Sequence, residues 1–414
     1  MIIQSVLGLF VFAGIAWLLS EKKTSVNPKF VIIGILLQLF IGALLLKIPQ
    51  FRYVFRILNE AILFLDKATT AGTTFVFGYL GGGLPPFDMT SPQYSFIIAF
   101  KALPLVLVIS AISSLLFYWK VLPLVVRGFS WALQKTMNIG GAEGVGLSAN
   151  IFIGMVEAPV LIRPYLKNMT RSEIFTIMSC GMATIAGTVM AVYATFLMDK
   201  FPDIMGHILT ASVISVPAAI VISKIMIPET NEQTDGTLSY PEPASGPMDA
   251  VTKGTIQGVD LLINIVAMLI VLVALVHLIN SIIAVFFPDI AGSPLTLERI
   301  FGFLMAPIVW LMGIPADQSL AAGSLMGTKT VLNEFIAYLN LSQIPEGVLS
   351  ERSTLIMTYA LCGFANPGSL GIMIGGLGTM IPERRSEIVA LGFRSIIAGT
   401  LATCMTGAVV GILY

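Results

Sequence analysis

The chain has 414 residues, 56% of them hydrophobic and 11% charged, with a mean hydropathy of +0.90. A soluble domain carries roughly 25% charged residues, so this composition excludes a water-soluble enzyme and leaves a polytopic helical membrane protein facing lipid. The 23 basic and 23 acidic residues cancel, which removes the electrostatic footprint of a nucleic-acid-binding protein.

In chain order, residues 1–20 form an apolar run of spanning length with no basic leader, which reads as a retained helix rather than a signal peptide. Further spans are expected near 30–49, 95–119, 172–198, 207–227, 259–287, 352–381 and 388–413, each long enough for a hydrocarbon core of about 30 Å. Segments 140–167 and 298–340 are hydrophobic but interrupted by Gly and polar residues, as re-entrant hairpins are. The fold class expected is therefore all-α integral membrane, with eight transmembrane helices plus two re-entrant hairpins. Segment 50–70 places Phe51, Val54, Phe55, Ile57, Leu58, Ile62, Leu63 and Leu65 among Arg52, Arg56 and Lys67, a pattern that suggests an amphipathic helix lying at the interface. With the N-terminus outside, the inside loops collect most of the basic residues, among them Lys22, Lys23, Lys120, Arg171, Lys253 and Arg384. The segment 228–254, rich in Pro, Gly, Ser and acid, reads as a hydrophilic linker dividing the chain into halves. Cys180, Cys362 and Cys404 are odd in number and set in apolar sequence, so they read as packing residues.

The halves resemble each other. Cys180-Gly181-Met182-Ala183-Thr184 in the fourth span recurs as Cys362-Gly363-Phe364-Ala365-Asn366 in the seventh, and each follows an interrupted segment that carries a glutamate, Glu157 or Glu334. In the assigned topology the two spans run in opposite directions, an inverted repeat of the kind that secondary transporters use to hold substrate at broken helices. Pro367 and Gly368 fall in the middle of the seventh span. There they mark either a structural kink or a break exposing carbonyls to a binding site, and the flanking Asn366 and Ser369 favour the break. Glu157 and Glu334 are costly within a bilayer and so are functional candidates; Lys329, about one turn away, is a possible partner for Glu334. His207 and His277 read as packed or interfacial residues. No HExxH or Ser/His arrangement is present, and Thr170 with Glu173 reads as a capping box.

Four motifs together resemble the concentrative nucleoside transporter family. They are Asn150 to Pro159 with Arg163-Pro164, Ala183 to Gly187, Lys329 to Tyr338, and Cys362 to Asn366. The resemblance covers nearly the whole chain in the right order. It implies cation-coupled nucleoside uptake across the cytoplasmic (inner) membrane of a bacterium. It also implies a homotrimer in the lipid bilayer, with a transport domain sliding against a scaffold in each protomer. On that basis residues 1–135 and 255–297 are mostly scaffold. Residues 136–227 (first hairpin, spans four and five) and 298–414 (second hairpin, spans seven and eight) form the transport domain.

Carried over by motif, the ribose is held by Glu334, Asn366 and Ser369, with Phe364 and Val189 as apolar walls. Sodium, the coupling ion and the only cofactor-like group implied, is held by the side chains of Asn150 and Thr184 and the carbonyls of Ile153 and Ile185. The family often has two polar base-reading residues at the first hairpin tip, where this chain has Gly154-Met155-Val156-Glu157. Base selectivity is therefore expected to be altered or relaxed, with Glu157 the main polar group at that tip. A proton-coupled carrier of the same fold is the alternative. A channel or intramembrane receptor is the alternative of another class, disfavoured because the polar residues cluster at two breaks instead of lining several helices.

Overall fold

The computed structural model describes residues 1–88, 97–198, 200–236, 244–287 and 294–414. Positions 95–96 of the expected third span, 237–243 of the linker, 288–293 after the sixth span and the side chain of Arg52 lie outside the described residues. Among the described residues the chain is helical, with one isolated bridge between Glu346 and Leu349.

The first two expected spans are α1 (Ile2–Leu18) and α2 (Pro28–Lys47). Asn27 caps α2, and Pro28 opens it where a missing N–H costs nothing. The amphipathic segment extends to α3 (Pro49–Phe77); it buries Phe55 and Ile62 and leaves Tyr53, Val54, Ile57 and Phe64 exposed. The third span is α4 (Ile98–Lys101) and α5 (Leu105–Tyr118), followed by α6 (Val121–Met137). The first interrupted segment is α7 (Gly141–Ile153), α8 (Glu157–Val160) and α9 (Arg163–Leu166). The fourth span is split into α10 (Arg171–Ala183) and α11 (Gly187–Leu197). Thr170 and Glu173 form the expected capping box at the start of α10. Then come α12 (Ile204–Met226) and α13 (Pro247–Phe286). The second interrupted segment is α14 (Leu297–Leu311), α15 (Ala316–Val331) and α16 (Glu334–Gln343). The seventh span is split into α17 (Glu351–Leu361) and α18 (Pro367–Met380), and α19 (Arg385–Leu413) closes the chain.

Among the described residues six stretches are long and apolar enough to cross a membrane: Pro28–Lys47, Ile98–Tyr118, Arg171–Leu197, Ile204–Met226, Pro247–Phe286 and Pro382–Leu413. The expected first span falls short at 17 residues, and the seventh is divided into helices of 11 and 14 residues. Burial sorts the long ones. Arg171–Leu197 and Ile204–Met226 have 94% of their apolar windows inside the protein, whereas α13 has 6%. Thus α10 to α12 form the centre, while α13 runs along the outside against α5. Gly254 and Gly258 permit that contact: a Cβ on either would meet the α5 backbone, at 2.6 Å from the Ser110 carbonyl or 3.0 Å from Leu107 Cα.

The same order of elements occurs twice. A helix, a second helix, a hairpin helix, a tip, a glutamate opening the next helix, a broken helix and a long helix run from α5 to α12 and again from α13 to α19. Segment 298–340 proves to hold two turns. One, at 312–315, joins α14 to α15; these pack antiparallel through Gly302, Gly323 and Gly327, where added Cβ atoms would strike the neighbouring helix within 3.1 Å. The second, at Leu332–Asn333, is the counterpart of the first tip.

The expected linker 228–254 also differs from an open connection. Its last part is already helical from Pro247, and its first part is docked. Thr234 donates its N–H to Glu173 Oε1 (2.8 Å) and accepts from the N–H of Ala142 (3.3 Å), and Gln233 reaches the Asn138 carbonyl (2.9 Å). Beneath it Lys224 bridges Glu143 (2.9 Å) and Glu229 (3.3 Å). The polar composition that reads as solvent-facing is used at the N-termini of α7 and α10: the Thr234 carbonyl accepts from the first turn of α7, and Thr234 donates to the Glu173 carboxylate of the α10 capping box.

Candidate functional site

The two tips and two breaks meet around one cavity of about 110 Å3, lined mainly by apolar side chains with a few convergent polar groups, as small-molecule sites are. Gly154, Met155, Val156 and Glu157 line it from the first tip and Val189 from α11; Glu334 comes from the second tip, and Phe364, Asn366 and Ser369 from the second break. All nine residues expected at the substrate site therefore share one cavity. The wall opposite is apolar and comes from α13, through Leu261, Ile265, Met268, Leu269 and Leu272.

Glu334 is 5% exposed and begins α16, whose first N–H groups favour a carboxylate. Tyr193 donates its hydroxyl to Oε1 (2.8 Å) and Asn366 its amide to Oε2 (2.8 Å). An ionised carboxylate has about four acceptor positions, so after these two bonds it retains capacity for hydroxyl donors in the cavity. Asn366 also caps α18, accepting the N–H of Ser369 at 2.8 Å. Pro367 is then the first residue of a helix, not a kink inside one, and no backbone donor is lost there.

Lys329 is not the partner of Glu334. Its ammonium donates instead to the carbonyl of Ala360 (2.8 Å) and to Thr403 Oγ1 (3.0 Å). Sequence reasoning missed Tyr193, which also stacks on Tyr338 with centroids 4.8 Å apart and planes at 16°. The signal available was its position one helical turn beyond Val189, on the same face of α11.

Met155 is wedged over Gly181, where a Cβ would lie 2.8 Å from both Met155 Cβ and Met373 Cε; Val156 packs on Gly376 in the same way, at 2.9 Å. Glu157 and Leu261 line this cavity and also a second one of about 380 Å3, which is edged by Ser110, Ser113, Ser114, Lys120, Lys253 and Gln257. His207 lies in neither and pairs with the Tyr359 hydroxyl (3.0 Å), while His277 is exposed on α13.

Asn150 and Thr184 are brought together: Asn150 Nδ2 lies 2.6 Å from Thr184 Oγ1, and both residues are buried. Thr184 Oγ1 donates to the Cys180 carbonyl at 2.9 Å. Ile153 ends α7 and Ile185 lies in the first break, and their carbonyls accept no backbone hydrogen bond from any described residue. Gly187 holds the break against α7, since a Cβ there would lie 2.4 Å from the Phe152 carbonyl oxygen. An amide, a hydroxyl and two free carbonyls are neutral, hard donors. They suit a monovalent cation, provided the Asn150 amide turns to present Oδ1. No group of three or more His, Cys, Asp or Glu that could hold a metal occurs among the described residues.

Comparison with known proteins agrees along the whole chain. Family models described as Na+ dependent nucleoside transporter N-terminus, Nucleoside recognition, and Na+ dependent nucleoside transporter C-terminus match residues 7–80, 99–200 and 207–411. The uncharacterized transporter YutK of Bacillus subtilis is 36% identical, over 99% of both chains. The nucleoside permease NupC of Helicobacter pylori is 33% identical, over 99% of this chain and 97% of its own. Among solved structures, CNTnw in an inward-facing substrate-bound state is 33% identical with a TM-score of 0.90, covering 100% of this chain and 98% of the other. The protein is a membrane transporter, not an enzyme, and belongs to the concentrative nucleoside transporter family.

Proposed function

We propose that this chain imports nucleosides by sodium-coupled alternating access, working as a homotrimer in the cytoplasmic membrane of a bacterium. The observation that carries the reading is the Glu334 carboxylate, oriented by Tyr193 and Asn366 at a cavity whose rim is built from both helix breaks. A ribose presents vicinal hydroxyls, which a carboxylate with free acceptor positions binds through charge-assisted hydrogen bonds. Ser369 supports that contact, and Phe364, Val189 and the α13 side chains exclude water from the sugar and base.

Asn150, Thr184, Ile153 and Ile185 hold the cation. Bound sodium would supply a positive charge that draws together the free carbonyls of Ile153 at the first tip and Ile185 at the first break. The interrupted segments 140–167 and 298–340, with spans four, five, seven and eight, form the moving domain; residues 1–135 and 255–297, whose α13 forms the apolar wall, form the scaffold. Within the proposed cycle the second cavity is the release route toward the side of Lys120 and Lys253.

With Met155 and Val156 at the tip, the base meets an apolar surface that cannot read its edge, so selectivity among bases is relaxed. Glu157 favours a second reading, proton coupling, because its carboxylate borders both cavities.

Uptake of labelled uridine, adenosine and guanosine into proteoliposomes under separate sodium and proton gradients tests both readings. Sodium-driven accumulation that is lost in Glu334→Ala is the expected outcome. Uptake unaffected by that substitution removes the ribose assignment, and equal accumulation without sodium transfers the coupling to protons.

A further inference from the structure

Lys329 is 1% exposed and takes no part in the cavity. Among the described residues no carboxylate lies within ion-pair distance of its ammonium. Its partners are a carbonyl in the last turn of α17 and a threonine hydroxyl of α19. Burying a charge without a counter-charge is expensive, so a side chain needed only for packing would be served better by methionine.

The repeated element order gives this lysine a place. In the first half Asn150, near the end of hairpin helix α7, reaches Cys180 and Thr184 at the end of α10. In the second half Lys329, near the end of hairpin helix α15, reaches the end of α17, with Cys404, Cys362 and, beyond ion-pair distance, Glu334 among its ionisable neighbours. Cys362 is the counterpart of Cys180 in the repeated motif. Each half therefore sends one side chain from its hairpin helix to the C-terminal end of the helix before its break, where backbone carbonyls carry partial negative charge. A helix-end carbonyl and a threonine hydroxyl are also the oxygen types assigned to sodium in the first half.

The geometry points to Lys329 as a tethered cation: its ammonium, held by the Ala360 carbonyl and Thr403 Oγ1, fixes the end of α17 against α19. Because 362–366 follows directly, that anchor sets Phe364 and Asn366 against Glu334. Lys329 is thus a positioning residue for the substrate site, an assignment that rests on the substrate reading of Glu334 and Asn366 above.

The test uses purified full-length protein, with labelled uridine binding measured at constant sodium and thermal unfolding measured without sodium or substrate. Lys329→Met should weaken binding by at least about tenfold, the factor that one lost charge-assisted hydrogen bond carries. Lys329→Arg should restore most of it. In Lys329→Ala, added methylammonium should strengthen binding and raise the unfolding temperature while leaving the wild type unchanged. Wild-type behaviour of Lys329→Met, an arginine variant no better than methionine, or no response to methylammonium overturns the proposal. If the neutral variants bind nothing, the unfolding temperatures decide. They must rank wild type and arginine above alanine, with methylammonium raising the alanine variant toward wild type; any other outcome overturns it. Failure of the wild type itself to bind nucleoside overturns the proposed function, and the same ranking still judges the lysine.

Discussion

Asn366 performs two tasks with one amide: its oxygen caps α18 and its nitrogen holds Glu334. Tyr193 performs one, and the difference predicts how their variants behave. Tyr193→Phe keeps the ring stack on Tyr338 and loses the bond to Glu334. It should raise the half-saturating uridine concentration about tenfold in uptake assays, the effect of a hydrogen bond to a charged group. Asn366→Ala should cost more, because the cap worth roughly 1 kcal/mol goes as well; a variant with unchanged uptake would remove Asn366 from the site. At the first tip, Met155→Gln with Val156→Thr should shift the order of preference among bases in competition uptake, and an unchanged order excludes both positions. Glu334 and Asn366 were legible in the sequence because an ionisable group and a broken helix are rare in apolar runs. Tyr193 was not, since its partner lies 141 residues away and a tyrosine in an apolar helix looks like packing.

The helix breaks differ in how they are made. The second is written in the sequence as Asn366-Pro367, a cap followed by a first-turn proline, although the same residues also suit a kink. The first contains no proline. It is enforced by tertiary approach, because the carbonyl of Phe152 occupies the space a Cβ at position 187 would need, and only the repeated motif hinted at it. Close approach also explains the glycine within that motif. Gly363 lies against the first break, with its missing Cβ 2.8 Å from the Met182 carbonyl oxygen and 3.1 Å from the Ala183 carbonyl carbon. Gly363→Ala has to push backbone from backbone and should destabilise the protein by about 1–3 kcal/mol or more, read as a lower unfolding temperature. Gly181→Ala meets the flexible end of Met373 and, on the other side, Met155 Cβ, which moves only with the backbone of the first tip. It should fold with a smaller loss and weaken nucleoside binding by driving Met155 into the cavity; binding equal to wild type would contradict that placement.

Across the whole molecule, polar residues that read as loop composition turn out to be fasteners. Glu21 receives Arg171 (3.0 Å) and Arg394, and its N–H donates to the Met226 carbonyl (2.9 Å), so the loop after α1 ties the ends of α10 and α12 to the third turn of α19. The hydrogen bond from Arg171 outweighs desolvation and holds the Glu21 carboxyl below its ordinary value of 4.5. A carboxylate with a lowered folded value stabilises above its unfolded value, and that contribution disappears as pH falls through the folded one. The difference in unfolding temperature between wild type and Glu21→Gln should therefore be full at neutral pH, shrink below about pH 4.5, and weaken in high salt. A difference independent of pH would assign it to packing. Such ties were invisible in the sequence because they join segments far apart in the chain, whereas the apolar runs are local and were read nearly to their ends.

The contact of Gly363 with Met182 and Ala183 bears on energy conversion. The segment assigned to the cation and the segment assigned to the ribose meet backbone to backbone at Gly363, with the Thr403 methyl packed beside the contact. A displacement of one is transmitted to the other directly. Thermodynamic linkage then requires reciprocity: whatever factor saturating sodium adds to nucleoside affinity, saturating nucleoside must add to sodium affinity.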